Sequence, residues 1–295
     1  MLKILYATAN HMQDYLSDCI LHGLQQLEHV EVIDEPYCWY MYKNSFINRN
    51  IKDLYGRGFT IFGTLPDNST DRTDILEKVK HKYFDYIVLA RVSCVPSFIE
   101  EVFKYYNKNN IIILDGEDDC VIRTQYYGCG IYFKRELQSE DPKIFPISFG
   151  FPKEKIQKPL SKIKVLADYE PNGTRAYTYD NEQDYYDDYN RSYFGKTWRK
   201  AGWDCLRHYE ILGSACVPYF VDIDSCPKRT CTNLPKELLL TIKNLCDAKG
   251  PDWVLTSSGQ DMYLDFKDKI LDHFINNGTT DQIAKKLLDT VQQHK

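Results

Sequence analysis

No stretch of these 295 residues approaches the roughly 18 consecutive apolar residues needed to cross a bilayer. A transmembrane segment is therefore not expected, and any membrane contact would be peripheral. The opening MLKILYATANHM lacks the apolar core and small-residue cleavage site of a secretory leader, so a cytoplasmic chain is expected. Positive charge is also short: 37 Lys and Arg against 42 Asp and Glu give a formal charge of -5, which argues against a general nucleic-acid binder. No short-period repeat is visible, which sets aside solenoids and propellers. The glycines between Gly56 and Gly63 do not have the spacing of a dinucleotide fingerprint. Ten cysteines are present, yet in a chain of this size without a leader, reduced thiols are the expectation. Cys226 and Cys231 have neither a second close pair nor a His spacing that would complete a zinc site, so no metal site is expected.

What the chain does have is an α/β rhythm. Lys3–Ala7 reads as a strand, Met12–Leu27 as a helix, and Val30–Ile33 as a second strand. YIVLA at Tyr86–Ala90 reads as a strand covered on both faces, followed by a helix over Pro96–Tyr106 and a strand over Ile111–Leu114. Gly56–Gly63 also has a strand-like look, and Ile131–Phe133 and Ile144–Ile147 read as short strands with Lys134, Arg135 and Glu136 between them. Gly150–Pro159 has linker composition, which predicts a boundary between residues 1–152 and 153–295. The alternation then restarts at Lys164–Ala167, passes the turn Pro171–Arg175 and an acidic, tyrosine-rich run over Asp180–Tyr189, and continues with a helix over Pro235–Cys246 and a strand-like Trp253–Thr256. Helices from Asp261 and Thr280 close the chain.

The most informative stretch runs from Phe194 to Phe220. It opens as a basic, glycine-punctuated loop carrying Lys196, Arg199, Lys200 and Gly202, continues as a helix from Asp204, and ends in an apolar strand over Cys216–Val221. On a helix, Trp203, Arg207, Glu210 and Ser214 share one face. Unpaired N–H groups and the positive end of the helix dipole make a first turn a natural phosphate site. There, Arg207 could grip a diphosphate and Glu210 could accept from a ribose diol. An ordinary solvated Arg–Glu pair explains the same spacing. The 23 tyrosines, clustered at Tyr37–Tyr42 and Tyr177–Tyr193, suit sugar-binding clefts and half-buried surfaces alike.

KAGWDCLRHYEILGSACVPYF, Lys200 to Phe220, resembles the nucleotide-sugar-binding segment of exostosin-like glycosyltransferases of the GT-B fold. The resemblance extends to DGEDD (Asp115–Asp119) and to YFKREL (Tyr132–Leu137). It implies two Rossmann-like domains facing each other across a cleft, the C-terminal one holding a UDP- or GDP-linked sugar, with no further cofactor. The last helix can fold back across both domains, as in many enzymes of that fold. The implied activity is transfer of a hexosyl or pentosyl group to a glycan or other hydroxyl acceptor. Arg207 and Glu210 are then donor-binding residues. The cations Lys196, Arg199, Lys200 and Arg175, with Gly202 and Trp203, complete the expected donor-binding set. On the acceptor side, the candidate bases are Asp118, Glu117 and His11, with Asp118 favoured because the resemblance reaches it. Metal-independent chemistry is expected, since cations and a helix end can neutralise the leaving diphosphate. Two other readings stand beside this one: a metal-dependent GT-A transferase using the DxD of Asp222 and Asp224, and a non-catalytic bilobed binding protein.

Overall fold

The computed structural model describes residues 1–8, 13–46, 49–66, 70–93, 97–169 and 178–294. His11, Arg175 and the turn at Pro171–Arg175 lie outside the described residues. The first part of the chain runs β1 (Leu2–Ala7), α1 (Tyr15–Gln25), β2 (Val30–Glu35), α2 (Ile75–Lys80), β3 (Tyr86–Leu89), α3 (Ile99–Tyr105), β4 (Ile111–Asp115), β5 (Ile131–Lys134) and β6 (Ile144–Pro146). The second part runs β7 (Lys164–Leu166), α4 (Glu182–Asn190), β8 (Ser192–Thr197), α5 (Leu206–Gly213), β9 (Val217–Phe220), α6 (Lys236–Lys249), α7 (Ser257–Asn277) and α8 (Thr280–Gln293). The α/β class expected from the alternation is what the structure has. A six-stranded sheet in the order β2-β1-β3-β4-β5-β6 and a three-stranded sheet in the order β7-β8-β9 are parallel throughout.

Strand alternation explains the layering. In β1, Ile4 and Tyr6 face one core while Leu5 and Ala7 face the other; in β4, Ile112 and Leu114 oppose Ile111 and Ile113 in the same way. A strand buried on both faces must be apolar at every position, and the runs IIIL and YIVL satisfy this. Helices α2 and α3 cover one face of the large sheet, through Ile75, Val79 and Val102. The other face is covered by α1 and α8 and is continuous with the core of the second group of elements. The last helix therefore docks on the first. A Cβ at Gly23 of α1 would lie 2.0 Å from the Thr280 carbonyl oxygen, so only glycine permits that approach. The start of the predicted linker takes part in the same contact: Phe151 is fully buried, its N–H donates to the Gly278 carbonyl (3.0 Å), and its carbonyl accepts from the Thr280 N–H (3.1 Å).

Three expectations are corrected. Gly56–Gly63 is not a strand but a run of tight turns, with positive φ at Gly56, Arg57, Gly58, Thr60 and Gly63. The strand-like Trp253–Thr256 belongs to a 3-10 turn over Pro251–Leu255. The basic loop is shorter than expected: Lys196 lies within β8, and Trp203 precedes α5 instead of sharing its face.

Candidate functional site

Helix α5 begins at Leu206 after Cys205, an extended residue that offers no side-chain cap. Its first turn opens into a cavity of about 260 Å³ lined from both groups of elements. Tyr15, Phe59, Asp118 and Phe149 come from the first group, and Tyr169, Tyr185, Lys200, Gly202, Arg207 and Glu210 from the second. The structure thus brings Arg207, Glu210, Lys200, Gly202 and Asp118 together.

Arg207 is only 7 % exposed, and no carboxylate among the described residues lies within ion-pairing distance of it. Neutral groups hold it in place. Its Nε–H donates to Thr197 Oγ1 (3.1 Å) and Nη2 to the Trp198 carbonyl (3.2 Å), and the guanidinium lies 5.9 Å from the Trp198 ring centroid. Behind Thr197 stands His208, fully buried and stacked on Phe220, with its Nδ1 3.0 Å from Thr197 Oγ1 and its Nε2 2.9 Å from the Trp203 carbonyl. A carbonyl can only accept, so Nε2 carries the proton and Nδ1 accepts from the threonine hydroxyl, which leaves the Thr197 oxygen lone pairs to Arg207. Burial first, and the Arg207 charge second, push the His208 imidazolium down to about 3, which keeps this chain of donors in one arrangement.

Glu210 is not paired with Arg207. Its carboxylate accepts from Thr60 Oγ1 and from Tyr185 Oη (2.8 Å), and it is 8 % exposed. Burial raises its pKa, against the lowering effect of those hydrogen bonds and of Arg207. Thr60, fully buried at a φ of 70°, also meets Tyr186 Oη (2.8 Å) and donates its N–H to Glu182. A β-branched residue in the left-handed region is strained, and these contacts from the second group hold it there. Lys200 sits at the exposed rim, its pKa lowered by partial desolvation and then by Arg207.

The acidic segment is anchored from below. Asp115 is fully buried and accepts from Lys134 Nζ (2.8 Å) and Tyr132 Oη (2.5 Å). Arg135, 1 % exposed, pairs with Asp118 and with Glu136 (2.7 Å), donates to the Gly116 and Asp204 carbonyls, and lies 4.7 Å from the Phe149 ring centroid. Glu136 accepts the N–H groups of Trp203 (2.9 Å) and Asp204 (3.0 Å), fixing the loop ahead of α5. Gly202 is required by this packing, since a Cβ there would fall 2.6 Å from Glu136 Oε1. Asp204 accepts from the Phe149 N–H (2.8 Å) and Tyr209 Oη (2.9 Å); burial, opposed chiefly by Arg135, lifts its carboxyl to about 6.

Other sequence candidates fall outside the cavity. Lys196 approaches the Trp198 ring, Arg199 lies 5.2 Å from the Trp203 ring centroid, and Trp203 is buried beside Glu136. Asp222 accepts from the Arg199 N–H (3.2 Å) and Asp224 lies 3.8 Å from Lys243, so neither DxD carboxylate lines it. Among the described residues, no three His, Cys, Asp or Glu side chains are grouped to hold a metal ion. Sequence reasoning missed Thr60, Tyr15, Phe59 and Phe149, which are distant in the chain. Tyr185 carried a signal only as part of the tyrosine-rich run. No helix among the described residues is long and apolar enough to cross a membrane. No protein-family model, curated protein or solved structure matches the chain, so the reading of the site rests on its residues and their geometry.

Proposed function

We propose that this chain is a glycosyltransferase that takes a sugar from a nucleoside-diphosphate donor, with the two sheet groups acting as the two Rossmann-like domains of a GT-B enzyme. One observation carries the reading: Arg207, nearly buried and without a carboxylate partner among the described residues, converges with Lys200 at the uncapped start of α5. A buried guanidinium held only by neutral groups is costly until an anion arrives. A diphosphate supplies one, taking the fork of Arg207, the Lys200 ammonium and the positive end of the α5 dipole. Glu210, a few residues deeper, offers carboxylate oxygens to a ribose diol, which takes the place of the Thr60 hydroxyl. The rings of Tyr15, Phe59, Phe149, Tyr169 and Tyr185 give the base and sugar apolar walls. As the glycosidic bond breaks, charge grows on the diphosphate, and the same two cations stabilise it. Asp118 and Glu117, at the carboxyl end of β4, face the acceptor side as candidate bases.

Thermal-shift titration with UDP, GDP and their sugars tests the donor reading. A ligand at a hundred times its dissociation constant adds about 2.7 kcal/mol, and a rise in Tm with one nucleoside diphosphate is expected. Transfer should persist in EDTA, because the protein supplies the positive charge. Loss of activity in EDTA with recovery in manganese would favour a metal-dependent enzyme.

A further inference from the structure

Beside the donor cavity lies a second one, of about 380 Å³, whose walls include Asp14, Tyr15, Tyr55, Arg91, Glu117 and Asp118. The two share Tyr15 and Asp118, so a ligand in each would meet at that carboxylate. The second cavity sits where Asp14 and Tyr15 beyond β1, Arg91 beyond β3 and Glu117 and Asp118 beyond β4 come together. In the order β2-β1-β3-β4 this is the point at which successive connections leave the sheet in opposite directions, the usual ligand crevice of an open parallel sheet.

Its walls are specific. Tyr15 and Tyr55 lie with ring centroids 6.3 Å apart, and Tyr55 is 57 % exposed, an uncovered aromatic wall. Arg91 donates Nε–H to Ser93 Oγ (3.0 Å), while its Nη1 is buried with no hydrogen-bond partner among the described residues. An orphaned buried donor needs an acceptor. Asp14 is occupied in part by capping α1 through the Ser17 N–H (2.9 Å), and Asp118 by Arg135. Glu117 has no cation within ion-pairing distance among the described residues. Three carboxylates thus face one guanidinium across an aromatic wall.

We propose that this cavity binds the acceptor as a carbohydrate whose reacting end carries no anionic group, either a neutral sugar or an amino sugar. This rests on the donor reading above for the word acceptor, though not for the binding itself. Sugar hydroxyls or an amine donate to Glu117 and Asp118, a ring or acetamido oxygen accepts from Arg91 Nη1, and the C–H face of the sugar lies on Tyr55. A uronate or phosphate would bring a further negative charge against Glu117 and Asp14.

The test is calorimetric or saturation-transfer binding of N-acetylglucosamine, glucosamine and glucuronate to the full chain, with UDP and GDP titrated in parallel. The first two sugars should bind, glucuronate at least tenfold more weakly. Tyr55→Ala, at an exposed position that folding tolerates, should weaken both by severalfold, and Glu117→Gln should weaken glucosamine and narrow the gap to glucuronate. Glucuronate binding as tightly as the others, no binding by any of the three, or indifference to Tyr55→Ala would each overturn the assignment. Nucleotide binding lost in Arg207→Ala while the sugars ignore both variants sinks this proposal and leaves the donor reading intact. Sugar binding as described, without any nucleotide binding, supports the cavity and sinks the donor reading.

Discussion

Replacing Arg207 with alanine separates a ligand-binding guanidinium from a structural one. Arg207 and Arg135 are both buried, at 7 % and 1 % exposure; Arg207 lines the cavity, and Arg135 lies behind it, holding Asp118. Their surroundings differ. Arg135 is met by the carboxylates of Asp118 and Glu136 and by two carbonyls, so its charge is compensated within the fold. Arg207 has a threonine hydroxyl, one carbonyl and an indole ring. Removing Arg135 leaves Glu136 buried without its cation, which is expected to cost about 3–5 kcal/mol of stability. Removing Arg207 strands no carboxylate in that way, so a change in stability of about 1 kcal/mol or less is expected.

The effect on binding should run the other way. A hydrogen bond to a charged partner contributes about 1.5–3 kcal/mol, or roughly 10- to 150-fold in dissociation constant for a nucleoside diphosphate. The assay pairs urea unfolding with isothermal titration of UDP and GDP for the parent chain, Arg207→Ala and Arg207→Lys. Lysine keeps the charge and loses the fork, so it should recover only part of the affinity. Unchanged nucleotide affinity in folded Arg207→Ala would refute the reasoning. So would a loss of stability as large as that of Arg135→Ala, because Arg207 would then be a structural residue.

Thr197→Val should lower nucleotide affinity several-fold and cost about 1–3 kcal/mol of stability, since it removes the oxygen that orients Arg207 Nε and leaves the buried His208 Nδ1 without a donor; equal affinity in a titration of the folded variant would show that the His208–Thr197–Arg207 chain does not position the guanidinium. Asp204 has a folded-state pKa of about 6, raised above the ordinary carboxyl value, so the stability it contributes is present below about pH 4 and lost as pH rises through about 6. Relative to Asp204→Asn, the parent chain should lose on the order of 3 kcal/mol between those limits, read from urea midpoints; parallel pH profiles would contradict this. Glu117→Gln and Asp118→Asn should each lower transfer by about 100-fold or more if that residue is the base, with donor affinity preserved; near-normal turnover in both places the base elsewhere.

The sheet was legible because its strands are buried on both faces, and burial on both faces demands continuous apolar runs such as IIIL and YIVL. The start of α5 was legible to within two residues from the change from a glycine-punctuated loop to a helical period. The turns over Tyr55–Gly63 were not, because GRGFTIFG has the apolar density of a strand. Its conformation is imposed from outside: Thr60 takes a positive φ with its hydroxyl bonded to Glu210, 150 residues away. Local propensity carries no information about such a partner.

The charged cluster at Lys134, Arg135 and Glu136 shows the same limit more sharply. By sequence these three residues belong to a polar turn between two short strands; in the structure all are buried, because each has a partner from another part of the chain. Burial of charge becomes favourable only when the partner is in place, and the partner is a tertiary fact. The same logic explains why the resemblance reached YFKREL without revealing its role. Lys134 holds Asp115, Arg135 holds Asp118 and the Asp204 carbonyl, and Glu136 holds the two N–H groups ahead of α5. Three consecutive residues therefore fix both the acidic loop on one side of the cavity and the helix start on the other. Each of those charges is compensated inside the protein. Beside the cavities the pattern differs: Arg207, Lys200 and Arg91, and Glu117, Glu210, Asp14 and Asp204, have no opposite charge within ion-pairing distance among the described residues. On the proposed reading, Arg207 and Lys200 on the α5 side meet the anion, while Arg91 and Glu117 on the other side meet an acceptor's oxygens and its hydroxyl or amine donors.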